Sequence, residues 1–245
     1  MQTTKTLRLD KALCDMGYGT RSEVKKMIAQ GRIVIDGQVV RSADRKVDLT
    51  QAFSIDGADV FYNLYEYRML YKPAGVITAT EDSRQKTVLD LVRNVGVRKD
   101  LSPVGRLDID TEGLLLLTND GVLAHRLLSP KKHVPKAYFV RLSAAVTEGM
   151  IHTLEAGMTI DDADGSFTAL PAKVQTTKED QEVYITIYEG KYHQVKRMFA
   201  AFGLTVQYLK RVSMGPLVLD ASLNPGESRL LTSEEIERLK AEVDG

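Results

Sequence analysis

The 245-residue chain has no tryptophan and one cysteine, Cys14. A lone cysteine forms no internal disulfide and builds no thiolate zinc site. It fits a reducing compartment. The longest leucine run, Leu114 to Leu117, is far too short to span a bilayer. The polar start, Met1-Gln2-Thr3-Thr4-Lys5, leads into charged sequence with no apolar signal region, so a soluble cytoplasmic protein is expected. His125, His133, His152 and His193 show no paired-ligand spacing, and no metal is expected. The chain lacks GxGxxG, Walker A and GxSxG patterns, which removes support for a nucleotide cofactor or an α/β-hydrolase triad.

An excess of one charge is also missing, because 33 Lys/Arg balance 33 Asp/Glu. Neutrality argues weakly against a nucleic-acid partner, but the charges are unevenly placed. Residues 1–50 carry 10 basic and 6 acidic residues. The stretches 121–147 and 191–211 each carry five Lys/Arg and no acid. The acids collect in 155–182 and in the C-terminal tail. The stretch 155–182 reads as a solvent-facing excursion. The hydrophobic content of 43% is enough for an ordinary core and excludes a disordered chain.

Residues 7–50 read as two helices and a hairpin. Leu9, Ala12, Leu13 and Met16 have helical spacing, and Gly17 is placed to end that helix. Thr20 and Glu23 form a T-x-x-E capping box before a second helix that Gly31 ends. Asp36-Gly37 between Ile33-Val34-Ile35 and Gln38-Val39-Val40 is a hairpin signal. Residues 51–66 are read as a linker. Beyond it the fold class is α+β with a mixed or antiparallel sheet. Strands are expected at 67–71, 75–79, 114–118, 137–142, 183–188 and 204–208. Helices are expected at 87–94, 120–128, 147–156, 193–202 and 233–242.

Four segments could carry chemistry. Gly105-Arg106-Leu107-Asp108-Ile109-Asp110-Thr111-Glu112-Gly113 sets three acids directly before the leucine run. A buried strand fed by such a loop can hold a carboxylate at the edge of a core, where its ionisation depends on a cation. A solvated turn has the same pattern. In Glu189-Gly190-Lys191-Tyr192-His193-Gln194-Val195-Lys196-Arg197-Met198-Phe199, the apolar residues share one helical face. Lys191 and His193 fall at the helix start, where backbone N–H groups favour anions. The loop Lys131-Lys132-His133-Val134-Pro135-Lys136 runs into a strand on which Tyr138 faces inward with Val140 and Leu142. Arg8, Arg21 and Lys25 lie on or near a basic helix face that could rest on an RNA backbone or simply be solvated. Asp108 with Asp110 also suggests a two-carboxylate sugar hydrolase, but no second candidate acid presents itself outside this loop.

Taken in order, these segments resemble one family. G-R-L-D-x-D-T-x-G-L-L-L-L-T-N-D-G resembles the signature of the RsuA/RluB/RluE/RluF branch of RNA pseudouridine synthases. Tyr71-Lys72-Pro73-Ala74-Gly75-Val76 resembles the branch's N-K-P-x-G segment, with Tyr71 in the place usual for Asn. Lys136-Ala137-Tyr138 resembles its K-x-Y motif. Residues 7–50 look like an S4 RNA-binding domain. The H-Q-V-K-R-M-F form is most similar to the RsuA type, whose substrate is 16S ribosomal RNA.

The resemblance implies an S4 domain and linker over 1–60 and a catalytic domain over 61–245. It implies isomerisation of uridine to pseudouridine in ribosomal RNA, with 23S RNA or a non-catalytic ribosome-assembly role as alternatives. Asp108 would be the nucleophile, Lys196 would pair with it, and Tyr138 would stack on the uracil. Arg8, Arg21, Lys25, Arg106, Lys131, Lys132, Lys136, Lys191, His193 and Arg197 would contact RNA. The chain would act as a monomer on ribosomal RNA or an assembly intermediate, without a cofactor, because no redox or phosphoryl-transfer step occurs.

Overall fold

The computed structural model describes residues 6–48, 53–60, 64–93, 98 and 100–244. The chain forms two compact units, residues 1–66 with 92–101, and residues 67–91 with 102–245.

The first unit contains β1 (Thr6–Arg8), α1 (Leu9–Asp15), α2 (Arg21–Ala29), β2 (Ile33–Ile35), β3 (Gln38–Val40), β4 (Lys46–Asp48), β5 (Phe53–Ile55) and β6 (Ala58–Val60). The capping box forms: Glu23 N donates to Thr20 Oγ1, and Thr20 N donates to Glu23 Oε2 at 2.7 Å. Asp36 and Gly37 both take positive φ, as a tight hairpin turn requires. The linker reading of 51–66 is corrected over 53–60. Asp56-Gly57 repeats the same turn, and β5 pairs with β2 through Ile33↔Ile55 and Ile35↔Phe53. Phe53, Ile55 and Val60 join the core around Leu9, Leu13 and Ile28. Residues 51, 52 and 61–63 of that reading, and with them the expected boundary after residue 60, lie outside the described residues.

Asp10 is buried on α1 and draws in two basic side chains. Arg8 Nη2 approaches its carboxylate at 3.0 Å and Arg21 Nε at 3.4 Å. The hydrogen bonds from Arg8, set against burial, hold the Asp10 carboxyl down at about 2.

The second unit contains β7 (Tyr67–Lys72), β8 (Ser102–Pro103), β9 (Glu112–Thr118), α3 (Gly121–Leu128), β10 (Lys136–Leu142), α4 (Glu148–Ala156), β11 (Met158–Asp162), β12 (Gly165–Ala169), β13 (Lys173–Thr176), β14 (Glu182–Ile187), α5 (Gln194–Ala200), β15 (Val206–Met214), β16 (Leu217–Val218), β17 (Ser228–Leu230) and α6 (Ser233–Asp244). Among the described residues its main sheet has nine strands, with the path β13-β14-β10-β15-β9-β7-β17. β15 and β9 run parallel, and the other described pairs of this sheet are antiparallel. The sheet is therefore mixed, as the pattern predicts. Leu114, Leu116, Met69 and Tyr67 pack with Leu123, Leu127 and Leu239 of α3 and α6. Asp120 caps α3 through Leu123 N and accepts from Tyr67 Oη at 2.7 Å.

Two expected elements differ. Residues 75–79 form a turn with a single bridge, Ile77↔Thr87, rather than a strand. Residues 88–92 form turns rather than an α-helix, Arg93 starts a 3₁₀ turn, and Asn94 lies outside the described residues. Asp90 accepts from Thr87 N at 2.8 Å and from Thr87 Oγ1 at 2.9 Å. Local bonds of this kind compete with the helical ladder. The acidic stretch 155–182 contains the β11–β12 hairpin, which the sequence reading left out.

Gly113 stands where β9 meets β15. A Cβ built there would lie 2.2 Å from Arg211 O, and its φ is +107°. Only glycine permits this approach.

Asp10→Ala should lower the stability of the first unit by about 1–2 kcal/mol. Amide hydrogen exchange of α1 in the full chain reads this directly. The folded carboxyl sits below its ordinary value, so its contribution is present above about pH 4 and fades as pH falls toward 2. The gap between wild type and variant should close over that window.

Candidate active site

The loop between β8 and β9 is held from below by the strand and turn that precede it. Lys72 is fully buried, and its ammonium donates to Asp108 O at 3.0 Å, Thr111 O at 2.9 Å and Pro73 O at 3.0 Å. Gly75 N donates to Ile109 O at 2.7 Å. Thr78 Oγ1 donates to Leu107 O at 2.7 Å and lies 3.2 Å from Leu107 N. These bonds fix the backbone on both sides of Asp108. Burial pushes the Lys72 ammonium down to about 8, against the pull of Asp108, Asp110 and Glu112. Lys72 and Thr78 were not among the expected site residues. The Lys-Pro-x-Gly segment was the available signal for Lys72.

The loop presents Asp108 to α5. Lys196 Nζ lies 3.2 Å from Asp108 Oδ2 and 2.6 Å from Asp110 Oδ1, so the expected pair is a shared one. Burial pushes the Lys196 ammonium down, but the two carboxylates outweigh it and hold it above its ordinary value. Burial likewise pushes the Asp110 carboxyl up, but Lys196 outweighs it and keeps it low. His193 Nε2 lies 3.5 Å from Asp108 Oδ1. Its ring stacks on Tyr192 with centroids 3.8 Å apart, and its backbone takes φ +47°. Gln194 ties this turn together, accepting from Lys191 N at 2.9 Å and donating to Glu189 Oε1 at 2.7 Å.

Asp108 borders two cavities. One, of about 80 Å³, is lined by Tyr138, Leu107, Thr111, Ile187, Val195 and Leu209 together with Arg106, Lys191, His193 and Lys196. The other, of about 660 Å³, shares Arg106, Asp108, His193 and Lys196 and adds Ile77, Thr78 and Tyr192. Tyr138 is buried on β10, where Lys136, Val140 and Leu142 are buried in alternation with it. A recess lined by the Tyr138 ring, apolar side chains and an ion-paired carboxylate can hold a planar ring and set a nucleophile against it.

The structure brings Asp108, Tyr138, Lys196, Arg106, Lys191 and His193 together. Lys131 is exposed and Lys132 half-buried on a 3₁₀ turn, residues 130–132. Arg8, Arg21 and Lys25 are exposed in the other unit. Two expected RNA contacts are corrected. Lys136 is buried and donates to Val134 O at 2.8 Å. Burial, with repulsion from Arg211, lowers its ammonium to about 8. Arg197 is buried, forks onto Asp162 with two bonds of 2.8 Å and lies 4.6 Å over the Phe167 ring. It ties α5 to the β11–β12 hairpin. Neither side chain presents its charge to a phosphate. Tyr71, in the place usual for Asn, is buried, and its hydroxyl donates to Glu112 Oε2 at 3.4 Å.

The profile of RNA pseudouridylate synthases matches residues 66–201, and that of the S4 domain matches residues 7–51. The chain belongs to the RNA pseudouridylate synthase family. It is an isomerase of that class, with an S4 domain at its N-terminal side. It is 50% identical to the uncharacterized RNA pseudouridine synthase YtzG of Bacillus subtilis, over 95% of this chain and 98% of that one. It is 40% identical to the ribosomal small subunit pseudouridine synthase A of Vibrio parahaemolyticus, over 94% and 98%. Identity to the ribosomal large subunit pseudouridine synthase B of Bacillus subtilis is 35%, over 97% of each. A crystal structure of a pseudouridylate synthase superimposes with a TM-score of 0.66 at 37% identity, covering 95% of this chain and 99% of that one. Among the described residues no helix is long and apolar enough to cross a membrane.

In this pseudouridylate synthase, Lys72→Met should strip the carbonyls of Pro73, Asp108 and Thr111 of their donor. Losing a buried partner costs about 1–3 kcal/mol per group left unpaired. The expected outcome is a stability loss on the order of 2–4 kcal/mol and at least a tenfold fall in pseudouridine formation. Urea denaturation and product analysis on the same preparation check both.

Proposed function

We propose that the chain converts uridine to pseudouridine in small-subunit ribosomal RNA, with Asp108 as the attacking group. The observation that carries this reading is Asp108 itself, ion-paired to Lys196 at 3.2 Å and lining the same recess as Tyr138. A base inside folded RNA must leave its stack to reach such a recess. Tyr138 offers it a stacking surface, and exposed Arg106 at the rim holds the opened RNA.

The reaction breaks N1–C1′, turns the ring and forms C5–C1′. N1 gains a proton and C5 loses one, so the product is an isomer and no cofactor is consumed. The Asp108 carboxylate attacks C1′ or C6, or stabilises charge developing on the sugar. It serves any of these roles only while ionised, and the Lys196 ammonium favours that form. Tyr138 assists removal of the C5 proton.

The domain reading places an S4 RNA-binding part over about residues 1–60 and the catalytic part from residue 61 onward. Arg8, Arg21 and Lys25 of the first, with Lys131, Lys132 and Lys191 of the second, supply contacts to phosphates. The chain acts as a cytoplasmic monomer on ribosomal RNA or an assembly intermediate. The small-subunit choice is favoured by the H-Q-V-K-R-M-F form and by the higher identity to the small-subunit relative. Large-subunit RNA is the second reading.

Asp108→Asn keeps shape and removes the nucleophile. Pseudouridine formation should fall by about a thousandfold or more, with the circular dichroism spectrum unchanged. Wild-type activity in that variant would sink the assignment. Lys196→Met should cost on the order of a hundredfold. Pseudouridine mapping in both ribosomal RNAs, from cells with and without the gene, separates the two substrates.

A further inference from the structure

Two large apolar side chains that the proposed reaction does not use stand exposed close to Asp108. Ile109 is 47% exposed on the loop between β8 and β9, and Tyr192 is 59% exposed on the turn before α5. Isolated exposed apolar residues are ordinary. These two, however, line one cavity, the larger one of about 660 Å³, together with Ile77 and Thr78. The recess lined by Tyr138 is about 80 Å³. The two cavities share Arg106, Asp108, His193 and Lys196. An RNA strand that delivers its uracil to the small recess, with the ribose at Asp108, therefore has the larger cavity beside its next nucleotide. Sites for small molecules run to about 300–1,000 Å³, so there is room for more than the target ribose.

The lining selects among the parts of a nucleotide. Lys196 is already matched by Asp108 at 3.2 Å and Asp110 at 2.6 Å. A phosphate here would also meet the Asp110 carboxylate, which lines the cavity and is exposed. Thr78 Oγ1 is committed to Leu107 O at 2.7 Å. Apart from Arg106, what the cavity offers is apolar surface. His193 covers one face of the Tyr192 ring, with centroids 3.8 Å apart and planes 25° apart, and the rest of that side chain is open. Such surface suits a planar base taken by its face. We infer that this cavity is a subsite for the base next to the target uridine, which stacks on Tyr192 and packs against Ile109. The inference rests on the reading of Asp108 and Tyr138 as the uridine site. A base held by its face is not read at its edge, so the subsite accepts any base and favours the larger purine rings. Tyr192 takes part in no bond-making step, and its contribution is to RNA binding.

The test uses the full chain and the ribosomal RNA it modifies, ligated from fragments so that an abasic nucleotide replaces the 5′ or the 3′ neighbour of the modified uridine. Pseudouridine formation across RNA concentrations gives kcat and KM. Tyr192→Ala should raise KM by about tenfold, with kcat within about threefold of wild type. Tyr192→Phe, which keeps the ring, should stay within about threefold on both. One of the two abasic RNAs should raise the wild-type KM in the same way, and on that RNA Tyr192→Ala should add less than about threefold. A Tyr192→Ala enzyme with wild-type KM overturns the subsite. So does a fall in kcat that is equal on intact and abasic RNA, because that pattern marks Tyr192 as a support for His193 alone. A wild-type chain that forms no pseudouridine in either ribosomal RNA overturns the uridine reading and this subsite with it. An active wild type, with losses from the variant and from the missing base that multiply at both neighbours, removes the subsite alone.

Discussion

A buried ammonium holds the active loop in shape. Lys72 lies at the end of β7, fully enclosed, with its ammonium directed at the backbone carbonyls of Pro73, Asp108 and Thr111. A lysine so deep in a protein is costly to desolvate. The carbonyls and the three nearby acids of the loop offset that cost. The Asp108 carboxylate is thereby positioned through its own backbone, before any side chain meets it. Lys196 and His193 then approach a carboxylate whose place is already set.

The charge balance gains a meaning from this geometry. A sum of zero says little, since adjacent basic residues do unlike work. Lys196 faces the recess and pairs with Asp108 and Asp110. Arg197, one position on, points away and locks onto Asp162. Successive positions on a helix lie about 100° apart, so neighbours serve different sides. The basic stretches therefore divide into charges spent inside the fold and charges left at the surface.

Much of this was legible in the sequence where the signal is local and periodic. The inward alternation on β10, the capping box at Thr20 and the Asp36-Gly37 turn were all readable from spacing. Asp108, Tyr138 and Lys196, singled out from their ordered segments, line one recess. Other features depend on partners far along the chain. Arg197 looks like a phosphate contact until Asp162, 35 residues earlier, closes on it. Lys72 looks exposed, as lysines usually are, until the loop folds over it. Asp56-Gly57 carries the same turn chemistry as Asp36-Gly37, but its acidic surroundings suggested a linker. The turn at Thr87 and Asp90 rests on side-chain hydrogen bonds that residue spacing does not show.

The single described parallel pair of the main sheet, β15 with β9, has a consequence for assembly. It joins two antiparallel halves through two register pairs, Lys210↔Glu112 and Arg211↔Gly113. The Asp108 loop feeds β9 in one half, and α5 leads into β15 in the other. Lys196 and Asp110, which meet across this seam, are 86 residues apart. Contacts so distant in sequence form late, because loop closure must come before they contribute. Each half can pair its own strands while the centre is still open. The meeting of Lys196 with Asp108 and Asp110 therefore depends on the two halves of the sheet docking along this one parallel seam.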